Sequence, residues 1–427
     1  MIWIGYTTRY RTGGARLAQA ARTMARQTSG PVVCEAVESK ADFVAAMGRL
    51  SALDELHLIS HSGMYGPIFG TTDLPEQFSP HEWRRLEIPW SSTGRASTGR
   101  ASTGRAFFHA CRTGRWFAPF FARTQGVPSF GHHWYTTLSR DPQRYRIVRD
   151  SLGSDEDVYI VGQPGRKSHG LLGSAGKHLG LLPPVPMQRS EPEQAEPEGY
   201  ERVAELYDRC FEDIRVRGPE WRWLDQRVDR AGTVLDLGCG TGALLRALQP
   251  AVGLGVDTSE AMLACARRRS PSTRFERISG PSLPLPDSSV DTAISLLSWR
   301  YLDWDPMLTE LVRVLRPGGR LLVVDMAASP ASPREWPTML GHKLRERRHL
   351  RDFPDFAAAR ARLVSEPAWA RMLQFNPIRA EHEYRWYLES RFPGRTVELL
   401  DLGRTTRVLG FDSGPITASW FPPQSYP

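Results

Sequence analysis

The stretch that decides the fold of the second half of this chain is Thr233-Val234-Leu235-Asp236-Leu237-Gly238-Cys239-Gly240-Thr241-Gly242-Ala243. A short apolar run opens into three glycines and continues into an apolar segment with helical spacing, which predicts a strand, a tight loop and a helix. Glycines let the backbone turn sharply and approach a ligand closely, and a helix start presents unpaired N–H groups. The stretch therefore predicts a nucleotide-handling loop, whose ligand the glycines alone do not decide.

Two acids near this loop narrow the choice of ligand. Asp257 ends the next apolar strand, where an acid can accept hydrogen bonds from both ribose hydroxyls. Dinucleotide binders share that device, and the spacing of the loop glycines fits their pattern as well. Asp236 lies directly before the loop, where its carboxylate would repel a pyrophosphate but suits a ligand with a cationic amino group. S-adenosyl-L-methionine has that group, whereas a dinucleotide-dependent oxidoreductase stays open as a less favoured alternative.

The segment 234–242 is similar to the first motif of class I S-adenosyl-L-methionine-dependent methyltransferases. Segment 283–291 resembles the loop and fourth strand of that family, and 315–325 resembles its turn and fifth strand. The resemblance covers residues 198–427 and implies a Rossmann-like sheet of seven strands. It also implies methyl transfer from S-adenosyl-L-methionine to an acceptor that is a small molecule or a peptide.

The family's motifs imply a set of cofactor-binding residues in this chain. In many relatives an Asp contacts the adenine amino group at the position of Ser279, whose hydroxyl accepts such a bond more weakly. The implied residues are Asp236, Gly238, Cys239, Gly240, Gly242, Asp257, Thr258, Ser279 and Ser298.

The acceptor side of the site is predicted from three segments. Residues 298–301 follow the fourth strand and face the methyl group in this fold, and residues 200–213 predict an amphipathic helix over the cleft. Residues 328–391 predict a helical insertion that forms a lid. Near its end, His382 is a candidate general base, although methyl transfer also proceeds by alignment without one.

The first part of the chain alternates strands with helices and predicts a second α/β domain with a parallel sheet. His61 follows its third strand, and Cys111 follows its fourth. Because ligands bind at the carboxyl ends of parallel strands, the two side chains are expected to meet there. An imidazole that takes the thiol proton would make Cys111 a nucleophile, with nearby backbone N–H groups stabilising an oxyanion.

These two motifs, Ser60-His61-Ser62-Gly63 and His109-Ala110-Cys111-Arg112-Thr113-Gly114, resemble the catalytic motifs of caspase-like cysteine peptidases, including bacterial CHAT-type domains. The resemblance implies a caspase-like α/β sandwich, with His61 as general base, Cys111 as nucleophile and a peptide substrate. Family members commonly have Gly directly after the His, whereas Ser62 intervenes here. A binding module that is catalytically inactive and recruits the methyl acceptor is the alternative. His109 is interpreted as a packing residue.

The predicted domains are 1–165, caspase-like, and 198–427, the methyltransferase, which contains the insertion 328–391. Residues 166–197 are rich in Pro and Glu and predict a semi-extended linker. In the first domain, three copies of Ser-Thr-Gly-Arg-Ala over residues 92–106 predict a flexible basic loop.

Composition excludes several other classes of protein. Hydrophobic residues make up 41% and charged residues 24%, as in ordinary globular proteins, and no apolar run approaches membrane-spanning length. The net charge of +8 comes from scattered Arg, and the densest cluster, 343–348, predicts a solvated helix face rather than a nucleic-acid site. Five cysteines without paired or metal-ligand spacing predict free thiols, no metal and a cytoplasmic location. No membrane partner is expected.

Overall fold

The computed structural model describes most of the chain and divides it into two compact units, residues 1–195 and 196–424. The repeated pentapeptides at 92–102 lie outside the described residues, and the third copy ends inside a strand that begins at Arg105. The described ranges are 1–63, 65–91, 103–148, 156–165, 175–177, 179–192, 200–329, 332–375, 378–403 and 406–416.

The first unit is built on a six-stranded sheet with the order β12-β8-β7-β3-β1-β2. Five strands run parallel, and β12 pairs antiparallel with β8 at one edge. The predicted parallel α/β arrangement is therefore present. The strands are β1 (Ile2–Tyr6), β2 (Val32–Ala36), β3 (Glu55–Ile59), β7 (Arg105–His109), β8 (Ser129–Gly131) and β12 (Gln188–Ser190).

Two small antiparallel sheets accompany this central sheet, with the orders β4-β5-β6 and β10-β9-β11. Their strands are β4 (His61–Gly63), β5 (Gly66–Gly70), β6 (Pro75–Glu76), β9 (Thr136–Asp141), β10 (Arg144–Ile147) and β11 (Tyr159–Gly162). The longer helices of this unit are α1 (Gly14–Gln27), α2 (Lys40–Gly48), α3 (Pro80–Arg85) and α4 (Phe117–Gln125).

Local sequence explains where two of these helices begin. Ser39 caps α2 by accepting the N–H of Asp42, whose carboxylate accepts the N–H of Ser39 in return. Ser79 and Glu82 form the same reciprocal box at α3. Such boxes satisfy N–H groups that a helix start leaves unpaired. Trp116, Phe117, Phe120 and Phe121 belong to the apolar core of this unit.

Part of the segment predicted as a linker belongs to the first sheet. Gln188–Ser190 forms β12 and pairs residue by residue with Ser129–Gly131. The side chains of this short edge strand are half-buried or exposed, so its polar composition resembles that of a spacer. Backbone pairing, which composition does not report, makes it a strand.

The second unit is organised by a seven-stranded sheet with the order β15-β14-β13-β16-β17-β19-β18. β19 runs antiparallel to both of its neighbours, and the other pairs are parallel. The strands are β13 (Thr233–Leu237), β14 (Val252–Asp257), β15 (Arg274–Arg277), β16 (Val290–Leu296), β17 (Leu315–Ala328), β18 (Glu398–Leu402) and β19 (Thr406–Asp412).

Nine α-helices are described in this unit, together with short 3₁₀ turns. Within the described ranges, no helix is both long and apolar enough to cross a bilayer. The helices are α5 (Ala204–Cys210), α6 (Gly218–Asp225), α7 (Ala243–Leu248), α8 (Glu260–Arg269), α9 (Trp304–Val314), α10 (Trp336–His349), α11 (Phe356–Ser365), α12 (Pro367–Phe375) and α13 (Glu381–Arg391).

Both faces of this sheet are covered by apolar residues. On β13, Leu235 and Leu237 belong to the cluster on one face, while Val234 belongs to the cluster on the other. Ala293 and Ile294 divide in the same way on β16. Successive side chains of a strand point to opposite faces, so near-continuous apolar strands are those of a parallel sheet buried on both sides.

The four helices α10 to α13 lie between β17 and β18 in sequence, within the region predicted as a helical insertion. Leu363 of α11 and Ala368 of α12 join an apolar cluster with Val203, Cys210 and Phe211. The insertion is therefore packed against the segment that precedes β13.

Candidate functional site

The glycine loop connects β13 to α7. Gly238 and Gly242 both have φ of +72°, in the left-handed region. A Cβ on Gly238 would lie 2.4 Å from the Cβ of Ser298, and one on Gly242 would lie 2.7 Å from the ring of Phe275. Gly240 has φ of +53°, yet no atom of the described residues lies within 4 Å of its Cβ position. The first and third glycines are thus fixed by packing, whereas the middle one leaves open space.

Asp257 ends β14 and is tied to the loop. One of its carboxylate oxygens accepts the N–H of Gly240 at 2.9 Å, and the other accepts the N–H of Ser259 at 2.9 Å. Burial raises the pKa of Asp257, and these backbone hydrogen bonds oppose that rise. Because each oxygen has a further lone pair, Asp257 keeps the capacity to accept ligand hydroxyls. Thr258, the next residue, is exposed.

Asp236 is deeply buried, with 2% of its surface exposed. Burial, and secondarily the charge of Asp257, raises its pKa to about 8. At neutral pH the carboxyl group is therefore mostly protonated in the free protein. A cationic group beside it would lower this pKa and favour the carboxylate.

Ser298, predicted to face the cofactor, is turned into the protein. Its hydroxyl donates to the carbonyl oxygen of Leu237, and its Oγ lies 2.6 Å from the Oγ of Ser295. Its Cβ is also the atom that leaves no room for a side chain at Gly238. Ser298 thus supports the loop from beneath, and its predicted contact with the cofactor remains a prediction.

The loop opens onto a small cleft of about 40 Å³. Among the described residues, the lining includes some of the predicted cofactor residues, namely Asp236, Gly238, Cys239 and Gly240. Other predicted residues are outside that lining, namely Gly242, Asp257, Thr258, Ser279 and Ser298. The sequence therefore predicted the wall of the cleft that the glycine loop forms.

The opposite wall comes from the segment before β13, and it contains a residue that sequence reasoning missed. Arg217 lines the cleft, and its guanidinium lies 3.9 Å from the ring centroid of Phe211. Its Nε is buried and has no hydrogen-bond partner among the described residues. An arginine with a spare donor can bind a ligand carboxylate. No spacing distinguishes it from the other arginines of a chain with 55 Lys and Arg.

An aromatic cluster, formed by Tyr200, Tyr207, Tyr301 and Trp369, adjoins this wall. The hydroxyls of Tyr200 and Tyr301 lie 3.1 Å apart, and Trp369 packs against the rings of Tyr200 and Tyr207. Tyr207 also lines the cleft. Three separate segments thus supply one aromatic surface beside the loop. The first of them, residues 200–213, was predicted to be helical, and α5 spans Ala204–Cys210 within it.

The predicted acceptor segment 298–301 is mostly used for structure. Trp299 is fully buried in the core. The N–H of Arg300 donates to a carboxylate oxygen of Asp325 at 2.9 Å, and its guanidinium forms a buried ion pair with the same side chain. Only Tyr301 extends to the aromatic cluster. The ion pair therefore positions Tyr301.

Two predicted residues lie apart from the lining. His382 is half-buried near the start of α13 and does not line the cleft. Ser279 is exposed after β15, next to Ile278, whose N–H donates to the carbonyl oxygen of Asp257 at 2.9 Å. Their predicted roles, in proton transfer and in adenine binding, stay predictions.

In the first unit, the two predicted catalytic residues leave neighbouring strands. Ile59 at the end of β3 pairs with His109 at the end of β7, so His61 and Cys111 each follow two residues later. The hydroxyl of Ser62 donates to the carbonyl oxygen of Cys111 and joins the two motifs directly. Ser62, which departs from the family pattern, therefore holds the two motifs together.

Within the described residues, no hydrogen bond connects His61 with Cys111. The Nε2 of His61 is buried without a partner, while the Sγ of Cys111 lies 3.4 Å from the N and from the Oγ1 of Thr136. Burial and the charge of Arg11 lower the pKa of His61, which keeps the imidazole neutral and able to accept a proton.

The backbone after Cys111 is constrained. Arg112 has φ of +61°, and its N–H donates to the carbonyl oxygen of Trp134 at 2.8 Å. This N–H group is therefore not free to stabilise an oxyanion. His109 is held by His57, whose Nδ1 lies 3.0 Å from its Nε2, and burial keeps the pKa of His109 well below its usual value. This agrees with a packing role for His109.

Comparison with known proteins finds similarity within the second unit. Residues 235–323 match the family model described as "Methyltransferase domain". A demethylmenaquinone methyltransferase of Thermus thermophilus is 35% identical over 145 residues, which are 31% of this chain and 66% of that relative. A malonyl-[acyl-carrier protein] O-methyltransferase of Pectobacterium atrosepticum is 38% identical over 139 residues, which are 31% of this chain and 54% of that relative. The chain thus spans just under two thirds of the first relative and about half of the second.

Among solved structures, the chain resembles an S-adenosyl-L-methionine-dependent methyltransferase of Thermotoga maritima, described as a possible histamine N-methyltransferase. The two are 19% identical with a TM-score of 0.34, over 50% of this chain and 97% of that one.

Proposed function

We propose that residues 196–424, which contain a class I S-adenosyl-L-methionine-dependent methyltransferase domain, transfer the methyl group of that cofactor to a small-molecule acceptor. The observation that carries the proposal is the convergence of Asp236, the glycine loop and Asp257 at the carboxyl ends of β13 and β14. The carboxyl ends of parallel strands are where such sheets bind ligands.

The residues of the cleft fit the chemical groups of the cofactor. Asp236 would accept hydrogen bonds from its amino group, and Arg217, with its unpartnered Nε, would bind its carboxylate. Asp257 would accept the ribose hydroxyls. Thr258, Ser279 and the loop residues complete the proposed site. Asp236 and Arg217 together offer one cation, whereas a pyrophosphate carries two negatively charged phosphate groups. The pair therefore favours a cofactor that bears an amino acid over a dinucleotide.

When bound, the cofactor supplies a methyl group activated by a positively charged sulfur. The chain's own part is to hold the acceptor against that group and to exclude water, since alignment alone lowers the barrier of such a transfer greatly. His382 does not line the cleft, so we assign it no proton transfer. A His382→Ala variant is expected to change kcat less than about threefold, whereas loss of a general base typically costs 100-fold or more.

The aromatic cluster supports a planar and largely apolar acceptor. Flat rings stack favourably on Tyr and Trp side chains, and the two tyrosine hydroxyls offer hydrogen bonds to an oxygen on such a ring. Of the two relatives above, the one named for demethylmenaquinone fits this surface better than the one named for malonyl-[acyl-carrier protein]. We therefore propose a quinone-like acceptor.

Calorimetry tests the cofactor assignment. S-adenosylhomocysteine is expected to bind, and NADH is not, because Arg217 is the only cation among the described lining residues and would leave one phosphate of NADH without a charged partner. Binding of NADH without binding of S-adenosylhomocysteine would overturn the assignment in favour of an oxidoreductase.

Transfer of a radioactive methyl group to demethylmenaquinone and to malonyl-[acyl-carrier protein] tests the acceptor. A Trp369→Ala variant is expected to raise KM for the acceptor while leaving cofactor affinity unchanged. Equal or better transfer to the malonyl substrate would contradict the aromatic acceptor but not the cofactor.

For the first unit we propose a caspase-like domain in which Cys111 is the nucleophile and His61 the general base for a peptide substrate. The observation that favours it is the exit of both residues from paired positions of β3 and β7. Because no hydrogen bond joins them, a substrate or a loop shift would have to bring them together. Thiol labelling tests this: rapid alkylation of Cys111 that is lost in His61→Ala supports the dyad. Slow labelling in both proteins would favour the alternative, an inactive module that recruits the acceptor.

A further inference from the structure

Helix α10 carries a line of exposed apolar side chains. Trp336, Leu340 and Leu344 are 62%, 60% and 58% exposed. They are spaced four residues apart, so they lie along one side of the helix over about 12 Å. Large side chains in a row on a helix that buries none of its residues indicate a surface made for contact.

Cations accompany this line. Lys343 and Arg347 lie on the same side of the helix by their spacing from Leu340 and Leu344, and Arg348 is close to that side. All three are exposed. In the part of the chain that the structure describes, none of them forms an ion pair. Over Trp336–His349 four cations face one acid, Glu346, for a net charge of +3 with neutral His.

The other side of α10 is fixed to the domain. His342 hydrogen-bonds to the carboxylate of Asp401 on β18, and the Nε2 of His349 lies 2.8 Å from the carbonyl oxygen of Arg215. These two contacts hold the helix from the face opposite the apolar line. The outward direction of Trp336, Leu340 and Leu344 is therefore set by the fold.

We propose that this face of α10 binds the surface of a lipid bilayer with anionic headgroups. A helix with a narrow apolar side, a charged remainder and Lys and Arg along the boundary lies in the plane of the membrane interface. Trp prefers that depth, and the long stems of Lys and Arg reach the headgroups while their neighbours enter the acyl region. This contact differs from the expectation of no membrane partner, which was based on the absence of a membrane-spanning segment and not on the surface of α10.

The location of α10 gives the contact a consequence for the reaction. The same insertion continues into α11 and α12, where Trp369 joins the aromatic cluster beside the cleft. A bilayer on α10 would bring the insertion, and with it the acceptor side of the cleft, to a reservoir of apolar small molecules. The membrane contact itself does not rest on the proposed methyl transfer.

Vesicle flotation with the full chain tests the proposal. Wild-type protein is expected to float with vesicles of phosphatidylcholine that contain about one third phosphatidylglycerol, and only weakly with phosphatidylcholine alone. The double variant L340S/L344S is expected to lower the partition coefficient about tenfold. The double variant K343Q/R347Q is expected to lower it about fivefold per charge on anionic vesicles only.

The matched control is V364S on α11, a residue of the same insertion that is 58% exposed, as Leu344 is. Its binding should equal that of the wild type. Circular dichroism and S-adenosylhomocysteine binding check that each variant is folded. Wild-type protein that does not float, or L340S/L344S that floats like V364S, overturns the proposal. If α10 binds an acidic protein instead of a bilayer, the wild-type protein would not float with the vesicles.

Discussion

The two units place polar residues at the ends of neighbouring strands in the same way, but they differ in whether hydrogen bonds hold these residues together. In each, polar residues follow neighbouring parallel strands: Asp236 and Asp257 in the second unit, His61 and Cys111 in the first. In the second unit the loop amide of Gly240 binds Asp257 and fixes the geometry. In the first, no hydrogen bond among the described residues connects the His61 and Cys111 side chains. Sheet topology brings residues to one edge, and the loops that follow decide whether they converge.

The largest expected effect tests whether the glycine loop is fixed by packing. Gly238→Ala should lower the free energy of unfolding of the second unit by about 3 kcal/mol, because its Cβ would collide with Ser298 and its φ is positive. Gly240→Ala has an equally unfavourable φ but open space, and should cost about 1 kcal/mol. Urea unfolding measures both. Equal losses would show that space around Gly238 is not what fixes the loop.

The next effect tests the charge that distinguishes the proposed cofactor. Asp236→Asn should weaken binding of S-adenosylhomocysteine about 10- to 100-fold, since a hydrogen bond to a charged group contributes about 1.5–3 kcal/mol. Calorimetry measures the affinity. Leu245→Met, a buried change on α7 outside the lining, is the control and should leave the affinity within about twofold. Unchanged affinity in Asp236→Asn would remove Asp236 from the site.

The parts of the second site that the sequence predicted are those encoded within a few residues. The strand, the glycines and the acids at the strand ends lie close together in the sequence. The positive φ values of Gly238 and Gly242 explain why glycine is needed at these two positions. Trp369 could not be predicted, because its contact with Tyr200 joins segments far apart in the chain. Arg217 could not be predicted, because no local spacing distinguishes it from the other arginines.

Two departures have a similar cause. The hydroxyl of Ser298 bonds to the carbonyl oxygen of Leu237, a contact that the sequence did not predict because it depends on the packing around one side chain. Gln188–Ser190 has the composition of a linker and forms an edge strand by backbone pairing. The mixed α/β class was predicted correctly because apolar periodicity indicates which segments form helices and strands. It does not indicate how individual side chains contact each other.

A smaller effect concerns the pH dependence of the free protein. In the folded state the pKa of Asp236 is about 8, above its ordinary value of 3.8, so the folded state holds a proton that the unfolded state has released. This contribution to stability is complete below about pH 4 and is lost as the pH rises toward 8. Asp236→Asn lacks the titration. Its stability relative to wild type should therefore increase as the pH rises from about 5 to 8.

Urea unfolding of both proteins over this range measures the difference. The same linkage predicts that binding of the cationic cofactor releases a proton below about pH 8, visible as a dependence of the calorimetric heat on the buffer. A stability difference that is constant with pH would mean that Asp236 is ionised in the free protein.

The smallest effect tests the contact that joins the two motifs of the first unit. Ser62→Ala removes the hydrogen bond to the carbonyl oxygen of Cys111 and should cost about 1 kcal/mol of unfolding free energy. Ser60→Ala is a matched control two residues away, because the Oγ of Ser60 is buried without a hydrogen-bond partner among the described residues. It should be neutral or slightly stabilising. If the Ser62 contact also keeps Cys111 away from His61, alkylation of Cys111 should be faster in Ser62→Ala than in Ser60→Ala. Equal stability and equal labelling in the two variants would show that the first site, unlike the second, is not held by its connecting hydrogen bond.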